Sequence, residues 1–312
     1  MTIKTLNPRL ASVGGIPIAR LLPNRGHQPI GAWCFLDHAG PVEFDEDESG
    51  IQVGRHPHTN LQTFSWMLNG EVLHRDSLGN EQVIAKNQVN VMTAGTGPAQ
   101  GISHTEQSIF PKTGGSPDAA RGLSMVQLWI ALPTDQQIER GFHHYPQLPT
   151  WREDSAEMIL TTGRYTSVTG EYYEAPTIQY SKMIGIDVNF LADGEVTLNL
   201  EPNFEYGLLV IEGKVESEGS TCEKDQLFRF YDSDIAHSSG IKLAAKKGTR
   251  LMVIGGEPLN NKVLLWWNFV ADNKQELEQS IIDWNNGHKR FGEVDSTMER
   301  LPAPELPKGF KG

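Results

Sequence analysis

Cysteine is almost missing from this chain. Two residues in 312, Cys34 and Cys222, are too few and too far apart for a disulfide framework, so buried free thiols in a reducing compartment, the cytoplasm, are expected. No apolar run approaches the roughly 20 residues that cross a bilayer, and Met1–Arg20 holds no uninterrupted apolar stretch of leader length. Basic clusters are also lacking. The nearest, Ala244-Ala245-Lys246-Lys247, reads as a solvated turn, and the net charge is −12. Direct binding to nucleic acid or to an anionic membrane is therefore excluded, because both need a surface that neutralises phosphates. Helix-forming character is scarce as well: 31 glycines and 18 prolines with 38% hydrophobic residues suit a turn-rich β protein.

What is present is a set of metal-ligand types at strand spacing. Gly54-Arg55-His56-Pro57-His58 and His104-Thr105-Glu106 each separate two such residues by one. Successive side chains of a strand point to opposite faces, so His56 and His58 share a face, and so do His104 and Glu106. If the two segments are neighbours in one barrel, three imidazoles and a carboxylate converge on one point. A nitrogen and oxygen donor set without thiolate suits Fe(II), with Mn, Ni, Cu or Zn as substitutes, and leaves positions open for water, dioxygen or a chelating substrate. His74 stands outside this spacing and is expected to be structural or to support a ligand.

Strands are expected at Ile16–Leu22 and Pro29–Leu36 around a Pro23-Asn24-Arg25-Gly26 turn, with His38 on a loop and the acidic run Glu43–Glu48 solvated. Leu61–Leu68 ends in Asn69-Gly70, a hairpin signal. Further strands follow at Gln82–Ala85, Val89–Thr93 and Leu123–Leu132. The loop from Ala94 to Gly101 lacks the lysine-serine ending of a phosphate loop. The second half repeats the first: Glu223-Lys224-Asp225-Gln226-Leu227 echoes Ala85-Lys86-Asn87-Gln88-Val89, and Val210–Val215 echoes Met67–Val72. Aligning Gly70 with Gly213 puts Asn199 and Glu201 where His56 and His58 stand, and His237 does not fall opposite His104. One metal per chain is the expectation. Domains are expected at 1–135 and 155–312, with 136–154 as a linker. Asn273 can cap a helix carrying the apolar stripe Leu277, Ile281 and Trp284, with Gly287 as its stop. The proline-bearing tail from Leu301 reads as an extended arm.

The ordered motifs Phe35-Leu36-Asp37-His38-Ala39-Gly40-Pro41, His56-Pro57-His58, His74-Arg75-Asp76-Ser77-Leu78-Gly79-Asn80, Met92-Thr93-Ala94-Gly95 and His104-Thr105-Glu106 resemble those of the pirin family of the cupin superfamily. Trp266-Trp267-Asn268-Phe269-Val270 is similar to a segment of its bacterial members. The resemblance implies an all-β bicupin, two cupin-like barrels packed against each other with a short C-terminal helix. Fe would be held in the first barrel by His56, His58, His104 and Glu106. Two stretches depart from the family: Thr59-Asn60-Leu61-Gln62 replaces a frequent Arg-Gly-Phe-Glu and its usual cupin acid, and Pro98-Ala99-Gln100 lengthens the loop before His104.

Some pirins resemble quercetin 2,3-dioxygenases, while eukaryotic members look like transcription cofactors with a redox-sensitive iron. The first implies a small aromatic substrate and dioxygen as partners, with Glu106 as the catalytic base for an enol proton. The second implies a redox-sensing module whose function is contact with a protein partner. A metal-dependent isomerase or hydrolase is a third alternative, since one fold hosts many chemistries.

Overall fold

The computed structural model describes residues 2–24, 28–117, 120–230, 240–260 and 262–310. The chain divides into two compact units, each discontinuous in sequence. One comprises Met1–Leu10, Ala19–His38 and Gln147–Pro258; the other, which holds the histidine pairs, comprises Ala11–Ile18, Ala39–Pro146 and Leu259–Gly312.

Both units combine a seven-stranded with a four-stranded antiparallel sheet. In the histidine-bearing unit the four-stranded sheet runs Gln52–His58, Ile102–Ser108, Val72–Asp76, Glu81–Ile84. The larger sheet runs Gly141–Tyr145, Val89–Thr93, Leu61–Asn69, Gly122–Ala131, Trp33–Glu43, Ile16–Leu22, Arg9–Val13, and of its last three strands residues 39–43, 16–18 and 11–13 are the parts counted in this unit. Leu61–Leu68 is buried on both faces, which is why its sequence reads as a mixed run and not as a clean alternation. Ile51, Val53, Val72 and Ile84 from around the small sheet pack with Met67, Leu123 and Met125 of the large one, closing a core between them.

The other unit repeats this plan. Its large sheet runs Ile3–Leu6, Leu227–Phe230, Glu205–Glu212, Arg250–Gly256, Met183–Phe190, Ala156–Thr162, Thr150–Glu153, and its small sheet Gly194–Leu198, Ile241–Ala245, Lys214–Ser217, Ser220–Glu223. Val196, Val215 and Leu243 meet Ile186, Leu208 and Val253 in its core. The repeat extends to turn chemistry. Asn87 and Asp225 both take left-handed backbone (φ 62° and 63°); Gln88 Oε1 accepts from Ala85 N and Gln226 Oε1 from Glu223 N, each at 2.9 Å. Gly70 needs its positive φ of 84°, and a Cβ there would lie 2.1 Å from the Gly122 carbonyl.

Several expectations change. His38 is not on a loop: it lies in the Trp33–Glu43 strand, buried, with Nδ1 2.5 Å from Asp225 Oδ1. Segment 136–154 carries two strands, Gly141–Tyr145 paired with Val89–Thr93 and Thr150–Glu153 paired with Ala156–Thr162. The C-terminal helix, Lys274–Asn285, belongs to the histidine-bearing unit, not to the second barrel's unit. Asn273 caps it by accepting from Glu276 N at 2.9 Å, and Leu277, Ile281 and Trp284 are its buried stripe. The turn residues Arg25 and Gly26, and His237, lie outside the described residues. Cys34 and Cys222 are free and buried. Among the described residues no helix is long and apolar enough to cross a membrane.

Candidate metal centre

The Gln52–His58 and Ile102–Ser108 strands are direct antiparallel neighbours, and His104 stands opposite His56. On its other side the Ile102–Ser108 strand pairs with Val72–Asp76, placing Asp76 opposite His104 and His74 opposite Glu106. Residues directly opposite each other share a face, so this sheet presents His56, His104 and Asp76 in one row and Glu106 and His74 in the next. A register shift between His104 and Glu106 sets Glu106 opposite Val53.

The ligand atoms of His56, His58 and His104 lie within 4.8 Å of one another; those of His74, His104 and Glu106 form a second such trio. Among the described residues both trios fall in this unit. Glu106 thus stands with His74 and His104, and His104 belongs to both groups. The residues that replace the histidines in the sequence repeat, Asn199 and Glu201, serve local structure: Asn199 Nδ2 donates to Thr166 O at 2.9 Å, and Glu201 is exposed.

His56, His58 and His104 are 6%, 1% and 1% exposed, and desolvation holds all three neutral: His56 is pushed down to about 4 and the other two well below the ordinary imidazole value. Each ring is pinned through Nδ1. That atom of His56 donates to Gly54 O at 2.8 Å, that of His58 to Asn268 O at 3.2 Å, and that of His104 meets His74 Nδ1 at 3.3 Å. Nε2 of His58 and Nε2 of His104 face each other at 3.1 Å. Two lone pairs at that separation repel unless a cation or a proton lies between them. Buried neutral imidazoles with Nδ1 pinned and Nε2 converging are the donor arrangement that fits a divalent metal. Burial raises the Glu106 carboxyl above its usual range, though it keeps some contact with solvent. Among the described residues no hydrogen bond reaches it.

The facing wall is apolar and aromatic. Trp129 pairs with Thr63, Thr63 with Met92, and Met92 with Phe142, so the four share a face. Trp129 meets the His58 ring edge-on, centroids 5.1 Å apart, and Phe142 stacks on His74 at 4.4 Å and 15°. Gln62 pairs with Ile130 and Thr93 and so points to the opposite face; its Nε2 donates to Thr93 Oγ1 at 3.0 Å. The lost cupin acid therefore removes nothing from the face that Trp129 and Phe142 present to the histidines. Asn60, in the same departure, holds the lengthened loop, accepting from Gly97 N at 3.1 Å and donating to Val270 O and Glu276 Oε1. Arg290 secures that loop through the carbonyls of Pro98 and Gln100.

Sequence reasoning missed Trp129, Phe142, Asp76 and Asn268. Alternation could have flagged Trp129, two residues from Gln127 and four from Met125 on a ten-residue strand. Phe142 was hidden by reading 136–154 as a linker, and the role of Asn268 rests on a backbone carbonyl that no side-chain pattern reveals.

The family description Pirin matches residues 15–130, and the description Pirin C-terminal cupin domain matches residues 185–292. A Pseudomonas aeruginosa protein named as a putative quercetin 2,3-dioxygenase is 42% identical over 98% of this chain and 91% of its own length. A pirin-like protein of Caulobacter vibrioides is 30% identical over 95% of this chain and 97% of its own. A crystal structure titled quercetin 2,3-dioxygenase from Acinetobacter baumannii superposes with a TM-score of 0.88 at 39% identity, covering 99% of this chain and 97% of that one.

Proposed function

The chain belongs to the pirin family, and from that premise we propose that it is a mononuclear non-haem iron(II) dioxygenase acting on a flavonol-like aromatic enol. His56, His58 and His104 would hold the metal, with Glu106 as a further ligand from the same strand as His104. The observation that supports the reading is the convergence of two buried Nε2 atoms, those of His58 and His104, 3.1 Å apart, in rings whose Nδ1 atoms are held by Asn268 O and His74. When bound, iron(II) supplies Lewis acidity toward an enol oxygen and electrons for dioxygen chemistry.

The protein's own residues do the rest. The Glu106 carboxyl, raised by burial and without a hydrogen-bond donor of its own among the described residues, is suited to take the enol proton. Trp129 and Phe142 offer flat apolar surface to an aromatic ring and keep water from the face opposite the histidines. The Nδ1 contacts hold three rings still, so that no reorganisation is needed when substrate arrives. The buried free thiols favour a reducing compartment such as the cytoplasm.

Protein loaded anaerobically with Fe(II), mixed with quercetin and then with air, is expected to consume oxygen as the flavonol absorption falls, and His56→Ala is expected to do neither. Absence of turnover with Fe, Mn, Ni and Cu alike overturns the flavonol reading and leaves a metal-dependent protein-binding module as the alternative. Turnover surviving in His56→Ala overturns the site.

A further inference from the structure

Asp76 is 2% exposed, and its carboxylate is wholly engaged as an acceptor. Oδ1 takes the backbone N–H groups of Leu78 at 2.9 Å and Asn80 at 3.1 Å, and the Asn80 amide reaches Oδ1 at 3.1 Å and Oδ2 at 2.9 Å. A carboxylate surrounded by donors has no proton to give. At its 3.2 Å contact with His74 Nε2 the imidazole is therefore the donor. The other ring nitrogen of His74, Nδ1, faces His104 Nδ1 at 3.3 Å. Where His104 Nε2 holds a metal, the proton of that ring sits on Nδ1, so His104 donates this second bond and His74 accepts it. Phe142, stacked on the His74 ring, holds the plane of the ring in place.

We propose that His74, oriented by Asp76, is a positioning residue that locks His104 in the Nδ1–H tautomer and so presents Nε2 as a metal ligand. His56 and His58 receive the same service from backbone carbonyls, Gly54 O and Asn268 O. His104 is the one member of its trio whose orientation hangs on side chains. The inference rests on the metal reading of that trio and adds to it a residue that touches neither metal nor substrate.

The full-length, metal-free protein labelled with 15N-histidine gives the direct test by long-range proton-nitrogen correlation. His104 is expected to carry its proton on Nδ1 in the wild type, to lose that preference in His74→Leu, and to regain it in His74→Asn, whose Oδ1 falls near the old Nδ1 position and can accept. Zn(II) affinity by chelator competition is expected to fall about 10- to 100-fold in His74→Leu and to recover most of that loss in His74→Asn. Should His74→Leu not fold, Asp76→Asn frees the His74 tautomer and is expected to disturb the His104 signal in the same way. A wild-type His104 protonated on Nε2 overturns the proposal, as does a His74→Leu protein with unchanged tautomer and affinity. So does a zinc-loaded protein in which His74 itself shifts as a ligand. Failure of the metal reading looks different: wild type that binds no Zn(II), or His56→Ala that binds it as tightly, with the His104 tautomer still answering for itself.

Discussion

At the scale of single residues the site is defined by what its imidazoles cannot do. Buried at 1–6% exposure, His56, His58 and His104 resist protonation, and this has a consequence for stability. In the unfolded chain an imidazole titrates near 6.5, whereas His56 in the fold titrates near 4. Below pH about 6.5 the unfolded state takes up protons that the folded state refuses, so stability falls as pH falls, and for His56 the loss levels off near 4. Glu106, raised by burial, works the other way once pH drops below its folded value, but it is one group against three. The melting temperature of metal-free protein is expected to decline between pH 7 and pH 5, and His104→Leu is expected to flatten that decline. Metal content is the second residue-scale measurement. His56→Ala, His58→Ala and His104→Ala are each expected to reduce bound metal from about one per chain to near zero, read by atomic emission after dialysis.

At the scale of elements, the strand that carries His56 and His58 lies at the edge of its four-stranded sheet. That edge is covered by the C-terminal tail: Arg55 N donates to Glu299 O at 2.7 Å and Leu301 N to Arg55 O at 2.9 Å. Further along, Val270 N donates to Thr59 O, and Asn268 supplies the carbonyl for His58. An open edge would expose unpaired backbone groups beside His56 and His58. Removing residues 299–312 is expected to weaken metal binding by about tenfold or more while leaving the strand content of the circular-dichroism spectrum nearly unchanged. Asn60 is the other tie. It holds left-handed backbone (φ 53°) and three hydrogen bonds, to Gly97, Val270 and Glu276. Asn60→Ala loses the bonds and strains the backbone, and is expected to cost about 2–4 kcal/mol in denaturant unfolding; Asn60→Gly, relieved of the strain, should cost less. The strands and hairpins were legible in sequence because alternation, Asn69-Gly70 and the Lys-Asn/Asp-Gln turns are local signals. Phe142 was not, since its strand is set by pairing with Val89–Thr93 and its own sequence, crowded with polar and aromatic residues, shows no clean period.

At the scale of the whole molecule, chain order and compact units part company. Ile3–Leu6 pairs with Leu227–Phe230, so the first strand completes the unit that holds the second barrel. Residues 259–312 return to the unit that holds the histidines. Deleting residues 1–6 is therefore expected to lower the melting temperature while metal stoichiometry stays at about one per chain; loss of bound metal in that deletion would contradict the assignment. A division at 136–154 could be inferred from composition and from the repeat, but the exchange of terminal segments could not. No local propensity records which of two similar sheets an edge strand joins, because that choice depends on cross-strand contacts far apart in sequence.

Sequence alone determined the β-rich class, the internal duplication, the helix with its Asn273 cap, and the pairing of His56 with His58 and of His104 with Glu106, since strand and helix periods are properties of the backbone itself. Tertiary structure decided which of these groups meet. It placed Glu106 with His74, turned Gln62 away from the histidines, raised Trp129 and Phe142 into the facing wall, and brought the Asn268 carbonyl to His58. Those outcomes follow from register between strands and from long-range closure of the sheets, and register is settled by the sum of contacts across the core and not by any residue's own preference.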